Sequence, residues 1–242
     1  MNLFVITPTY NEAQNIPSLA NQILALPVDG IHLLIVDDNS PDGTGQIAEK
    51  LREKIPESIS VIHRTGKFGL GSAYIEGIKK ALLSGAHAIA QIDADLSHPP
   101  ELLVELYESL DHADVALGSR YIAGGSVDKN WPFWRKSLSA FGNFYARTIL
   151  NLPVRDVTGG FRVWRSEVLR KMPLNRIRSN GYAFLIELTY VANLLNFSFV
   201  ECPFYFPNRE SGRSKMSLRI QLEAAYRVWR MRWEYRDLIR VD

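Results

Sequence analysis

Over its first 120 residues the chain alternates short β-branched or apolar runs with longer stretches of helical spacing, and this alternation restricts its fold more than any other feature. Residues 3–6, 31–36, 59–63, 87–92 and 115–117 read as strands, and residues 13–25, 43–54, 71–84 and 99–110 read as helices. Parallel strands need crossovers, and every crossover here is helical. The expected class is therefore α/β: a mostly parallel, Rossmann-like sheet covered by helices on both faces. Ligands of such open sheets sit outside the C-terminal ends of the strands, so chemistry is to be sought in the loops that follow them.

After Arg120 the alternation stops. Gly124-Gly125 leads to Trp131-Pro132-Phe133-Trp134-Arg135-Lys136 and then to a helical pattern with Leu138, Phe141, Tyr145 and Ile149 three or four apart. Residues 184–195 read as a helix, 198–206 as a strand-like run, and 216–240 as a helix rich in Arg and Trp. A length of 242 residues, set against roughly 150 per domain, favours one large domain or a domain with an appendage. The 28 basic residues exceed the 26 acidic ones by only 2, which argues against a nucleic-acid backbone as partner. A lone Cys202 forms no internal disulfide, and the first residues carry no basic, export-like leader, so a cytoplasmic protein is expected. The run 183–200 contains Glu187, Asn193 and Asn196, which argues against a bilayer span.

The strand-end loops are polar. The first reads Thr7-Pro8-Thr9-Tyr10-Asn11-Glu12 and the second Val36-Asp37-Asp38-Asn39-Ser40-Pro41-Asp42-Gly43. Turn and N-cap propensity accounts for Asp37, Asn39 and Asp42 as well as a ligand role does. Asp38, an acid just past a strand end, is read as a nucleoside contact. The fourth strand runs into Asp93-Ala94-Asp95-Leu96-Ser97-His98. Residues two apart in extended chain project to the same side, so both carboxylates can face one divalent cation, Mg²⁺ or Mn²⁺ by the hardness of the donors. Gly118-Ser119-Arg120 and residues 208–215 supply the complementary cations for a diphosphate.

Together with Asp156-Val157-Thr158-Gly159-Gly160-Phe161-Arg162, these strings occur in an order that resembles family 2 glycosyltransferases with a GT-A fold, in particular those that mannosylate dolichyl or polyprenyl phosphate. The resemblance implies inverting transfer of mannose from GDP-mannose to a polyprenyl monophosphate. It places Pro8, Tyr10, Glu12, Val36 and Asp38 at the nucleoside, and Asp93, Ala94 and Asp95 at the metal and sugar diphosphate. It puts Arg120, Arg209 and Lys215 on the donor's charged or sugar groups. Ser97 stands where some members carry a metal-binding Gln. Asp93, Asp95 and Arg120 are the expected catalytic groups, with Asp93, Asp95 and Ser97 as metal ligands. Arg135, Asp156 and Arg162 are candidates for the acceptor phosphate, beside backbone amides of Thr158-Gly159-Gly160.

A phosphate monoester is largely dianionic at neutral pH, so no general base is assigned, His98 and Glu12 included. The implied layout is a catalytic domain 1–215, with an acceptor- or interface-facing helix at about 133–150, and a C-terminal amphipathic helix 216–242. Many relatives add transmembrane helices after this point, which the chain lacks. Its aromatics, and Leu222, Tyr226, Trp229 and Trp233 at helical spacing, suggest packing on the domain or peripheral docking at a cytoplasmic membrane face, directly or through a small anchoring subunit. A UDP-sugar in place of GDP-mannose and a noncatalytic, membrane-recruiting nucleotide-sugar module are the alternatives.

Overall fold

The computed structural model describes residues 2–207 and 218–238, with side chains of the last helix from residue 225 onward. In chain order the elements are β1 (Leu3–Thr9), α1 (Ile16–Leu24), β2 (Ile31–Asp37), α2 (Thr44–Lys54), β3 (Ile59–His63), α3 (Leu70–Leu83), β4 (Ala88–Gln91) and α4 (Leu102–Glu108). They continue with β5 (Val115–Ser119), β6 (Ser126–Val127), α5 (Phe133–Leu150), β7 (Arg162–Arg165), α6 (Ser166–Lys171), α7 (Gly181–Leu194), β8 (Phe199–Pro203), β9 (Tyr205–Phe206) and α8 (Leu218–Glu234).

Seven strands form one sheet in the order β3-β2-β1-β4-β7-β5-β8. Most neighbours are parallel, and β7 runs antiparallel to both β4 and β5. Strands β1 and β2 are apolar on both faces because both faces are covered. Leu3, Val5, Leu33 and Ile35 pack with α1 and α4, while Phe4, Ile6, Leu34 and Val36 pack with α3 and α7. A second, two-stranded parallel ribbon joins β6 to β9. The order reverses between β1 and β4, since β2 and β3 lie to one side of β1 and everything later lies to the other. The loops after β1 and β4 therefore flank the crevice at the switch point, where an open sheet binds its ligand.

The sequence pattern missed β7 and α6. Arg162-Val163-Trp164-Arg165 has charges at both ends and no alternation, yet three of its four residues are buried and Trp164 Nε1 donates to Gln91 Oε1 at 2.8 Å. The strand-like run predicted at 198–206 is broken into β8 and β9.

The last helix resolves the choice between packing and exposure by doing both. Val228, Met231 and Tyr235 are buried against the domain, and the Tyr235 hydroxyl donates to the buried Glu187 carboxylate at 2.8 Å. Tyr226, Trp229 and Trp233 face outward instead. Leu222's side chain lies outside the described residues. α8 also leans on α5: Trp229 Nε1 donates to the Tyr145 hydroxyl at 3.0 Å, and Tyr145 donates to Ala225 O at 3.3 Å. On α5, Phe133, Trp134, Phe141 and Phe144 are exposed and fall within an arc of about 100° at 3.6 residues per turn.

Glycine at position 77 has a steric cause. A Cβ there would meet Ile6 Cγ2 at 2.7 Å, so α3 approaches β1 too closely for any side chain. Gly142, in α5, has open space around its Cβ position. Gly77→Ala should lower unfolding free energy by about 1–3 kcal/mol through overpacking, whereas Gly142→Ala should raise it by roughly 0.5–1 kcal/mol. Denaturant melts of the two variants check this, and a neutral Gly77→Ala would refute the close approach.

Candidate active site

The loops after β1 and β2 are knitted together by side-chain oxygens. Asp37 is buried and accepts from Thr9 Oγ1 at 2.9 Å, from Ser40 N at 3.0 Å and from Ser40 Oγ at 2.5 Å. Asp42 accepts from Thr44 Oγ1 at 2.6 Å and from Ala13 N at 3.1 Å, and Thr44 Oγ1 in turn accepts from Glu12 N at 2.9 Å. Partial burial pushes the Asp42 carboxyl up, but the hydrogen bonds from Thr44 and Ala13 outweigh it and hold it below the usual range. Asp37 and Asp42 thus serve turn and cap chemistry, one of the two readings the sequence left open.

Asp38 receives a different partner. Arg64, in the loop after β3, is paired with Asp38 Oδ1, while Gly69 N donates to Asp38 Oδ2 at 3.0 Å. Arg64 also donates to Ser72 Oγ at 2.8 Å and to Glu76 at 3.0 Å. A nucleoside reaching Asp38 would share it with these donors. The same loop carries Lys67, whose Nζ lies 3.6 Å above the Tyr10 ring. Sequence reading passed over Arg64 and Lys67, although a strand-end stretch Arg64-Thr65-Gly66-Lys67-Phe68-Gly69 has the cations and glycines of a phosphate or nucleotide loop. Pro8 and Glu12 stand beside the crevice at the end of β1 and in the loop beyond it, where the Glu12 carboxylate accepts from Asn15 at 2.7 Å.

Two of the expected donor contacts turn away. Val36 is fully buried in the core with Phe4 and Ile6, and the Ala94 methyl is buried among Ile92 and Leu103. Their side chains pack the sheet and helices, so neither can meet a ligand with more than its backbone.

The acidic loop is tightly built. Asp93 N donates to His98 Nδ1 at 3.1 Å, and His98 is buried, stacked on Phe161 at 4.9 Å and met edge-on by Phe204 and Phe206. Leu96 takes φ 60°, a left-handed conformation that a branched residue adopts only at a cost of about 1–2 kcal/mol. That turn brings Ser97 N and Ser97 Oγ onto Asp95 Oδ1 at 3.1 and 2.5 Å. Ser97 is 1% exposed and its hydroxyl is spent on the Asp95 carboxylate, so the side chain expected to meet an ion orients Asp95. The Asp93 side chain is 29% exposed. Behind them the Tyr74 hydroxyl donates to Ile92 O at 3.2 Å, its deprotonation suppressed by burial and then by the field of Asp93.

Hard carboxylate oxygens suit Mg²⁺ or Mn²⁺. Among the described residues no group of three or more His, Cys, Asp or Glu side chains is arranged to hold a metal. A cation at Asp93 and Asp95 would therefore complete its shell with water and with oxygens of a bound diphosphate, as Mg²⁺ commonly does.

The basic groups are more deeply engaged than their sequence positions suggest. Arg120 grips Asp156 in a fork, Nε to Oδ2 and Nη2 to Oδ1 both at 2.7 Å, and Nη2 also donates to Thr158 Oγ1 at 3.0 Å. Asp156 is 0% exposed. Burial pushes its carboxyl up, but Arg120 overrides this and holds it below the usual range; Arg120 itself, though opposed by desolvation, is held above its own. Asp156 is thus the internal counter-ion of Arg120 and not an acceptor contact. Arg162 is 0% exposed and donates to Gly159 O, Leu185 O, Val157 O and Thr189 Oγ1 at 2.7–2.8 Å. Burial pulls it down to about 10, partly offset by Asp156. It too is removed from the acceptor set, because its donors are spent on the fold. Arg135 remains at the start of α5, its guanidinium 3.7 Å above the Trp131 ring. Trp131 meets Phe206 edge-on at 5.7 Å, and Phe206 meets His98 at 5.8 Å, so aromatic contacts run from the acidic loop to the first turn of α5. Arg209 and Lys215 lie outside the described residues.

The model of "Glycosyl transferase family 2" matches residues 4–172. The chain is 45% identical over 226 residues to a polyprenol monophosphomannose synthase from Mycolicibacterium smegmatis, covering 93% of this chain and 84% of that one. It is 41% identical over 239 residues to an undecaprenyl-phosphate mannosyltransferase from Micrococcus luteus, covering 97% of each. In three dimensions it is similar, with a TM-score of 0.61 and 15% identity over 98% of this chain and 72% of the other, to a mannosyltransferase from Pyrobaculum calidifontis in complex with GDP-Man and Mn²⁺. The fold is that of GT-A glycosyltransferases. With paired acids at the switch point of such a sheet and sequence kinship over nearly its whole length, the chain belongs to glycosyl transferase family 2 and is a glycosyltransferase.

Proposed function

We propose that the enzyme transfers mannose from GDP-mannose to a polyprenyl monophosphate, with inversion. The observation that carries this reading is the juxtaposition of Asp93 and Asp95 with a helix that is aromatic on its outer face, α5, through the contacts His98, Phe206, Trp131 and Arg135. A water-soluble acceptor would not call for such a neighbour, and the two relatives above carry polyprenol or undecaprenyl phosphate in their names. The donor lies at the switch point, with its nucleoside toward Tyr10, Asp38 and the Arg64–Lys67 loop and its diphosphate toward Asp93 and Asp95. A Mg²⁺ or Mn²⁺ ion held by these two carboxylates would offset the charge that develops on the departing diphosphate. Asp95 is held for that task by Ser97, and Asp93 by His98.

An oxygen of the acceptor phosphate attacks the anomeric carbon as the bond from that carbon to the diphosphate breaks, leaving GDP and polyprenyl mannosyl phosphate. The acceptor is a dianion at neutral pH, so no proton has to be removed. Direct displacement on the face opposite the leaving group inverts the centre. Arg135, at the first turn of α5, receives the incoming phosphate. Arg120 keeps its place beneath the site through Asp156, and we assign it to the site's electrostatic frame.

The lipid end of the acceptor calls for a surface. Phe133, Trp134, Phe141 and Phe144 on α5 and Tyr226, Trp229 and Trp233 on α8 are 56–84% exposed. Phe141, Tyr145 and Trp229 touch in sequence, which joins the two helices' faces. Aromatic rings beside Arg230, Arg232 and Arg236 suit a headgroup interface. Among the described residues no helix is long and apolar enough to cross a membrane. Peripheral docking is therefore proposed for this face.

Two measurements test the reading. With GDP-[¹⁴C]mannose, polyprenyl phosphate and Mg²⁺ or Mn²⁺, the wild type should form a labelled lipid, and chelator should stop it. Asp95→Ala should cut the rate by on the order of 100-fold or more while the protein stays folded by circular dichroism; full turnover in chelator or in this variant would refute the site. Replacing Phe133, Trp134, Phe141 and Phe144 by Ser should weaken cosedimentation with anionic vesicles by at least roughly tenfold and leave GDP binding unchanged. Equal loss of both would point to misfolding and count against the docking face.

A further inference from the structure

α5 has a second face. Asn143 is its one buried side chain with an amide, 3% exposed and on the side of the helix away from Phe141 and Phe144. A buried amide inside a helix is costly unless both ends are used, and here they are. Oδ1 accepts from Thr158 N at 3.1 Å, and Nδ2 donates to Ser139 O at 3.1 Å. Thr158 is the residue whose hydroxyl accepts from Arg120 at 3.0 Å. Two positions later, Gly160 lies against the acidic loop, where a Cβ would sit 3.4 Å from Asp93 Oδ1 and 3.5 Å from His98 Cε1. The loop's other anchors come from the sheet region: Arg162 of β7 holds Val157 O and Gly159 O, and Glu201 of β8 accepts from Asp156 N. Asn143 adds an anchor from α5, with a second tie one turn earlier where the Tyr121 hydroxyl, next to Arg120, donates to Ser139 Oγ at 2.7 Å.

We infer that Asn143 is a positioning residue for the transfer reaction: by holding the Thr158 amide it fixes loop 156–160 between Arg120 and Asp93 and keeps the aromatic-faced helix in register with the acidic site. The inference rests on the proposed transfer to a lipid phosphate only in the activity it predicts. Asn143 touches no reacting atom, and its effect passes through Thr158 and Gly160.

The test compares Asn143→Ala with Asn143→Asp, whose carboxylate keeps an acceptor for the Thr158 amide. Asn143→Leu, which refills the space, replaces the Ala variant if that does not fold. Hydrogen exchange at the Thr158 amide should quicken about tenfold in Asn143→Ala, with amides of β1 and β4 unchanged. The kcat for mannosyl transfer should fall about tenfold, while vesicle binding and the KM for polyprenyl phosphate stay within about twofold. Asn143→Asp should restore most of both losses, which a purely structural loss of packing would not produce. Unchanged Thr158 exchange, unchanged kcat, or an Asp variant as impaired as the Ala variant would each overturn the assignment. If the wild type makes no mannolipid, the functional reading fails, and the exchange data still decide whether Asn143 holds the loop.

Discussion

The buried pair of Arg120 and Asp156 is the interaction on which the site's arrangement depends. Taking two charges out of water costs several kcal/mol per ion, and only near-ideal geometry offsets it. The fork supplies that geometry, and the Arg120 amide adds a third bond to Asp156 Oδ2 at 3.0 Å. Removing one partner of such a pair typically costs about 3–5 kcal/mol, because the other is left charged in the interior. The pair ties the end of β5 to the loop before β7, and that loop lies against Asp93 on one side and α5 on the other. The acidic loop and the aromatic-faced helix are therefore referred to one internal anchor.

Much of the fold was legible in the sequence for a physical reason. Strands buried on both faces, such as β1 with Leu3 to Ile6 and β2 with Leu33 to Val36, must be continuous apolar runs, and such runs are visible without tertiary information. β7 was not visible, because Arg162 is an interior residue whose burial is licensed by carbonyls of Val157, Gly159 and Leu185, partners that exist only once α7 and the preceding loop are in place. The site divides the same way. Asp93, Asp95 and Asp38 announce themselves as acids past strand ends. The sequence could not reveal that Asp156 would be spent on Arg120, 36 positions away, since that pairing depends on how β5 and β7 are aligned. Ser97 is spent on Asp95 by a local turn two residues long, set by the left-handed Leu96. Arg64 had a readable signal, two cations and two glycines between β3 and α3.

The two outer helices illustrate how one amphipathic pattern serves two surroundings. α8 buries Val228 and Met231, with Tyr235 buried just beyond its end, and displays Tyr226, Trp229 and Trp233. Counting apolar residues at helical spacing does not say which stripe goes inward. The decision rests with polar partners: Tyr235 finds the Glu187 carboxylate, and Arg176 finds Asp237 at 2.7 Å. Trp229 satisfies its indole N–H on Tyr145 while leaving its ring outside. A large exposed apolar area on a folded chain is unfavourable in water, and the exposed rings of α5 and α8 are the ground on which docking is proposed for this face.

The antiparallel insertion of β7 also sets a schedule for making the molecule. Gln91 and Trp164 meet across the sheet although they are 73 positions apart. β4 therefore leaves the ribosome with one edge lacking its final neighbour, and must wait some seconds for it at ordinary elongation rates of about 5–20 residues per second. The N-terminal half-sheet cannot close, nor the acidic loop acquire its backing, until the chain has been synthesised well past its midpoint.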